Sequence, residues 1–289
     1  MIDTKKAKHL MRRPGILLFV VTIMSTIVIP STNAQATDIP RTSAGRPDLN
    51  GIWQSIGADH YNIEAHVAQE SSVLQSGALG AIRASQGAVL GTRIPYTDAG
   101  RKKQQENFDD RHEKDPAIKC YLPGVPRANY MPYPLQIVQI PDHIFIAYEF
   151  AQASRTLYID QPDFQAPVDT WMGHSLARWE GDTLVVESTN FVDKWKDYRF
   201  NEIWRGASET LQLVERFSRL DDKTLLYRVT VTDPVRFTSP WTVEMYLTTD
   251  QAAAGTTTGP IYEFACHEGN YGGANILSGA RAEDAAGGQ

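Results

Sequence analysis

The chain is poor in cysteine, with only Cys120 and Cys266 among 289 residues. There is no Cys-x-x-Cys, no His-Glu-x-x-His and no pair of histidines at helical spacing, so the usual zinc-site spacings are missing. A glycine-rich phosphate loop and a nucleophile elbow are missing too, which removes the nucleotide-binding and α/β-hydrolase classes that sequence identifies readily. Basic charge is also scarce. The whole chain carries net charge −6, and beyond the N-terminal segment no cationic run exceeds Arg101-Lys102-Lys103. A general nucleic-acid or anionic-membrane binder needs a basic face to release counterions, so neither partner is expected. No long hydrophobic run is present either. The longest, Ile16 to Ile29, is short for a bilayer and is interrupted by Thr22, Ser25 and Thr26.

What that run does have is the right company. Lys5, Lys6, Lys8, Arg12 and Arg13 precede it, and Ala34-Gln35-Ala36 follows. A basic segment, a short apolar stretch and a small-x-small site make a secretory signal peptide, so residues 1–36 are expected to be removed and the mature chain to start near Thr37. Removal takes five of the 28 Lys/Arg and one of the 34 Asp/Glu, leaving a mature net charge of −10. The expected location is periplasmic or secreted, with no stable membrane insertion after cleavage. In such an oxidising compartment two cysteines in one domain favour a disulfide over a metal pair. Joined, Cys120 and Cys266 would bring the His267-Glu268 doublet beside the stiff loop that ends at Arg127.

The mature chain reads as one β-rich domain, 37–289, with an irregular N-terminal extension to about residue 134. Thr97 to Phe108 has a plausible cap and good helix formers, which predicts one short helix. Pro123, Pro126, Pro132 and Pro134, interleaved with Tyr121, Tyr130 and Tyr133, cannot form a central strand. They predict a stiff aromatic strip over a surface or a pocket mouth. From Leu135 onward short β-branched and aromatic segments follow one another, from Leu135 to Ile140 through to Ile261 to Cys266. Glu180-Gly181-Asp182 and Leu220 to Lys223 supply hairpin turns. The pattern predicts a mainly β fold, an antiparallel barrel or sandwich of calycin type.

Gly51-Ile52-Trp53 resembles the opening of lipocalin-like barrels, in which the Trp plugs the closed end. A broader resemblance lies in the blocks Asp115-Pro-Ala-Ile-Lys-Cys-Tyr-Leu-Pro-Gly-Val-Pro-Arg127, Met131-Pro-Tyr-Pro-Leu-Gln136, Trp171-Met-Gly-His-Ser175, Arg178-Trp-Glu-Gly-Asp-Thr-Leu-Val-Val186, Val214-Glu-Arg-Phe217 and Cys266-His-Glu-Gly-Asn-Tyr271 with Leu277-Ser-Gly-Ala-Arg281. They are similar to the signature blocks of a large bacterial family of exported proteins of unknown function. That resemblance spans most of the mature chain and implies export but no activity. The chain departs from the family at Ala207-Ser208-Glu209, where the family carries His-Ser-Asp or His-Ser-Glu. No role of that His transfers here.

The candidate chemistry is acid/base. His174 and His267 are the candidate proton carriers, since a histidine titrates near working pH. Glu149 or Glu268 would orient them. Arg155 would stabilise developing negative charge or, in the plainer reading, pair with Glu149 across a hairpin. Tyr130, Tyr133, Trp171, Asp193, Trp195 and Arg127 are candidate ligand-binding residues. Glu215 and Arg216 alternate along one strand, so one of them faces inward. Two functions follow. One is an exported β-barrel enzyme acting on a small apolar or aromatic substrate as a lyase, isomerase or hydrolase, with no organic cofactor and no metal. The other is a non-catalytic periplasmic protein that binds a hydrophobic small molecule in the barrel mouth.

Overall fold

Alternating burial builds the strands. In the segment Gln212–Arg219 the buried residues include Leu213, Glu215 and Phe217, and in Thr224–Thr232 they are Leu225, Tyr227, Val229 and Val231. This is the two-residue period of a sheet with one face on a core. The computed structural model describes residues 39–57, 60–68, 82–91, 93–109, 120–192, 210–254, 259–265 and 281–282. Within it, nine strands close into one barrel in chain order. They are β1 Gly51–Ser55, β2 Leu135–Gln139, β3 His143–Tyr148, β4 Ser154–Ile159, β5 His174–Glu180, β6 Thr183–Thr189, β7 Gln212–Arg219, β8 Thr224–Thr232 and β9 Trp241–Thr248. Residues 37–289 cluster as a unit apart from residues 1–36, which lie outside the described residues.

Strand direction cannot alternate all the way round a ring of odd number. One neighbouring pair must run parallel, and it is β4–β5, with Leu157 opposite Ser175 and Ile159 opposite Ala177. The other eight neighbouring pairs are antiparallel. The purely antiparallel expectation is therefore corrected at this one seam. Parallel neighbours need a crossover to bring the chain back to the starting end. Residues 160–173 make that return, and they form one wall of a cleft on the outer surface.

The two ends of the barrel are closed differently. At one end Trp53 is wholly buried, its Nε1 donates to the Leu49 carbonyl at 2.9 Å, and the Arg219 guanidinium lies 5.3 Å from its ring centroid. Arg219 is held there by donating to the carbonyls of Asp48, Asp221 and Asp222. The opposite end receives the proline-rich segment. Residues 123–131 are buried throughout, and a 3₁₀ turn, Arg127–Tyr130, sits among them. The expected surface strip is thus a plug whose Val125, Ala128, Tyr130 and Met131 belong to the core. Apolar side chains without a partner helix had to be buried somewhere, and the barrel end was the available interior.

The helix α1, Asp98–Asp109, starts where the sequence places its cap, with Thr97 Oγ1 accepting from the Gly100 N–H at 3.0 Å. The last expected strand is corrected. Ile261 to Ala265 joins no ladder, and Cys266 lies outside the described residues. Instead the Tyr262 N–H donates to Glu149 Oε2 at 3.0 Å, tying this tail to the end of β3.

Candidate functional site

Two polar features stand out, one inside the barrel and one outside it. Inside, Arg155 on β4 and Glu215 on β7 occupy inward positions that are otherwise apolar. Arg155 Nη1 donates to Glu215 Oε2 at 2.9 Å and Nη2 to Oε1 at 3.0 Å, a two-point ion pair whose side chains are 2% and 0% exposed. Three more donors reach the same carboxylate: the Tyr227 hydroxyl at 2.8 Å, Asn129 Nδ2 at 3.1 Å and the Ser188 hydroxyl at 3.2 Å. Asn129 comes from the plug, and its Oδ1 accepts from the Tyr148 hydroxyl at 2.9 Å. Ser175 Oγ lies 2.9 Å from Ser188 Oγ. Ser188 spends its proton on the carboxylate, so Ser175 is the donor between them.

Five donors on one carboxylate leave Glu215 no lone pair easily offered to a ligand. Burial is the largest single influence and opposes the Arg155 charge, but the charge and hydrogen bonds of Glu215 together with the neighbouring phenols exceed it, and the pKa of Arg155 lies above its ordinary value. Burial is also the first cause that raises both phenols. At Tyr148 the Glu215 charge adds to it and Arg155 works against it, and at Tyr227 the Glu215 charge again adds. Both hydroxyls are therefore fixed as neutral donors. This arrangement orders the interior and locks the plug to six strands. It presents nothing reactive to solvent.

The second feature is a cleft of about 670 Å³ between the crossover and the outer face of β4 and β5. By strand parity Thr156, Tyr158 and His174 point away from the barrel interior, and they line the cleft with Phe164, Pro167 and Trp171 of the crossover. The rings form two groups, Tyr158 with Phe164 and His174, and Trp171 with Tyr121. Phe164 lies 4.3 Å from Tyr158 and 5.3 Å from His174 between ring centroids, and Trp171 stacks on Tyr121 at 5.2 Å. Gly173 turns the chain into β5 with φ +73°, and a Cβ there would fall 2.5 Å from the Phe191 ring. His174 is thereby held at the first position of its strand.

His174 has a defined tautomer. Its Nε2 is 3.0 Å from the Phe164 carbonyl, and a carbonyl only accepts, so Nε2 carries the proton. In the neutral ring Nδ1 then keeps its lone pair. A ring oriented by one nitrogen and bare at the other is suited to accept a hydrogen bond or a proton.

The sequence candidates scatter around this frame. His174, Trp171 and Arg155 all line the cleft, although the guanidinium of Arg155 is engaged in the interior. Arg155 does not pair with Glu149 as the hairpin suggested. Its strand partner is Ile146, and Glu149 turns instead into the 3₁₀ turn Phe150–Gln152. Tyr130 and Arg127 are buried in the plug, and Tyr133 packs between Phe150 and Phe264. None of these three lines the cleft. Asp193, Trp195, Cys266, His267 and Glu268 lie outside the described residues, as does Ala207-Ser208-Glu209. Cys120 is not a free thiol. Among the described residues no group of three or more His, Cys, Asp or Glu is placed to hold a metal ion, and no helix is long and apolar enough to cross a membrane.

Sequence reasoning named Arg155 and raised Glu215 but did not join them. It missed Asn129, Tyr148, Tyr227 and Ser188 as their partners. The available signal was parity: an acid between Leu213 and Phe217, and a base between Ala153 and Leu157, each stand where an apolar residue belongs. Comparison with known protein families, with characterised proteins and with solved structures finds no match to this chain.

Proposed function

We propose that the protein is an exported barrel that holds a small apolar or aromatic molecule in the cleft beneath the β4–β5 crossover. One observation carries this reading: a cleft of about 670 Å³ faced by Tyr158, Phe164, His174 and Trp171. Small-molecule sites are typically about 300–1,000 Å³, mostly apolar, with few polar groups to fix orientation. The binding reading moves ahead of the catalytic one because Arg155 and Glu149, two of the expected catalytic groups, are committed elsewhere. Export, cleavage near Thr37, a Cys120–Cys266 disulfide and kinship with the family of exported proteins belong to the same proposal. A thermal-shift and tryptophan-fluorescence screen of apolar and aromatic compounds tests it. Hits should lose about tenfold or more in affinity in Trp171→Ala, since an aromatic anchor in a pocket is worth at least that. Hits indifferent to Trp171→Ala and to His174→Ala would move the site elsewhere.

A second reading is supported by the tautomer of His174. With Nε2 committed to the Phe164 carbonyl, Nδ1 is the general base of a lyase, isomerase or hydrolase working without an organic cofactor. Product analysis with any confirmed ligand separates the two readings. Turnover that survives His174→Ala would remove His174 as the base.

A further inference from the structure

We infer that the cleft selects aromatic molecules carrying a hydrogen-bond donor, of the phenol or aromatic-amine class, and rejects aromatic carboxylates. This rests on the binding reading above and names its ligand. The inference comes from what the polar groups of the cleft still have to offer. Among the described residues the cation that lines the cleft is Arg155, and both its terminal nitrogens are spent on Glu215, whose charge cancels it. The Thr170 hydroxyl donates to the Gly173 carbonyl at 3.1 Å, and the Ser175 hydroxyl is taken by Ser188 at 2.9 Å. His174 spends its N–H on the Phe164 carbonyl, so its remaining nitrogen accepts. Asp169 also lines the cleft. Its Oδ1 accepts from Asn190 Nδ2 at 3.1 Å, and it brings a negative charge that no cation among the described residues pairs.

The remaining hydroxyls of Ser154, Thr156 and Tyr158 donate or accept and do not discriminate. Apart from the indole N–H of Trp171, the fixed groups therefore present acceptors and negative charge. An aromatic carboxylate would lose its hydration, gain no counter-charge from the described lining residues and face Asp169. A phenol or arylamine of the same size keeps the ring contacts with Phe164, Tyr158 and Trp171. It also donates to Nδ1 of His174 or to the Asp169 carboxylate.

Three probes of one shape test the selection at neutral pH, with binding to the protein read by calorimetry. They are 2-naphthol, 2-methoxynaphthalene, which lacks the donor, and 2-naphthoate, which is an anion. 2-Naphthol should bind about five- to tenfold more tightly than the ether, the fold expected of one neutral hydrogen bond. 2-Naphthoate should be weaker than both. His174→Phe combined with Asp169→Ala keeps a ring in place and removes both fixed acceptors, so 2-naphthol and the ether should bind this variant equally. Equal binding of all three probes, or tighter binding of 2-naphthoate, would overturn the selection while leaving an aromatic cleft standing. Binding of none of them would remove the binding reading and the selection together.

Discussion

Replacing Arg155 by Met probes the ion pair at the centre of the barrel and keeps the bulk of the side-chain stem. The two side chains are 2% and 0% exposed, so the carboxylate of Glu215 would stay behind in the interior without its cation. Removing one member of a buried pair costs about 3–5 kcal/mol. Tyr227, Asn129 and Ser188 still donate to Glu215, which places Arg155→Met at the low end, about 3 kcal/mol. Glu215→Leu strands a buried guanidinium and orphans all three of those donors, so about 5 kcal/mol is expected. The double variant carries no stranded charge. Its cost is the three neutral orphans at about 1 kcal/mol each, about 3 kcal/mol in total. Independent effects would sum to about 8 kcal/mol, so the cycle should return a coupling of about 5 kcal/mol. Urea unfolding followed by circular dichroism and tryptophan fluorescence measures all four proteins. An additive double variant would mean that neither buried charge depends on the other. So would single variants costing under about 1 kcal/mol, the behaviour of an exposed pair.

Tyr148 and Tyr227 both have raised folded-state pKa values, so their contribution is complete below the unfolded phenol value of about 10 and is lost as pH rises beyond it. Urea midpoints should therefore fall above about pH 10, each phenol adding about 1.4 kcal/mol per pH unit, and each Tyr→Phe variant should remove its share of the slope. Asn129→Ala deletes the amide that joins the plug to Tyr148 and Glu215, and should destabilise by about 2 kcal/mol in the same assay. Gly173→Ala forces a Cβ into the Phe191 ring at a left-handed backbone position, so a loss of about 2 kcal/mol is expected. Because that overlap lies beside the cleft, ligand affinity should fall in Gly173→Ala under conditions where circular dichroism reports a folded barrel. A non-reducing peptide map should contain Cys120 and Cys266 in one linked peptide.

Much of the barrel was legible because burial on one face writes a two-residue period into the sequence. Thr224–Thr232 is bounded as its β-branched run suggests, and the turn after β7 is closed by Asp221 Oδ1 accepting from the Lys223 and Thr224 N–H groups. The parallel seam was not legible, since nothing local in Ser154–Ile159 distinguishes a strand that pairs parallel from one that pairs antiparallel. It follows from ring closure and the count of nine, which only the assembled sheet reveals. The proline-rich segment misled for a related reason. Proline excludes it from the ladders but does not say whether it lies over the barrel or inside its end.

The candidate site was legible in single residues and not in their grouping. His174 and Trp171 were named, and both line the cleft. Nothing in the sequence marks Tyr158 or Phe164 as site residues, and only the crossover brings them against His174. Arg155 reads in the sequence as a group that meets developing negative charge or pairs with Glu149 across a hairpin. It faces Glu215 because an inward arginine on β4 lies across the interior from an inward glutamate on β7, a relation between strands about 60 residues apart.

If ligand binds outside the barrel, beneath the crossover, and not at the plugged end, chemical-shift mapping with isotope-labelled protein and 2-naphthol will show it. Perturbations should concentrate at Thr156, Tyr158, Phe164, Trp171 and the His174 ring, with Asn129, Tyr130 and Met131 unmoved. Perturbations centred on the plug residues, with the cleft silent, would contradict it.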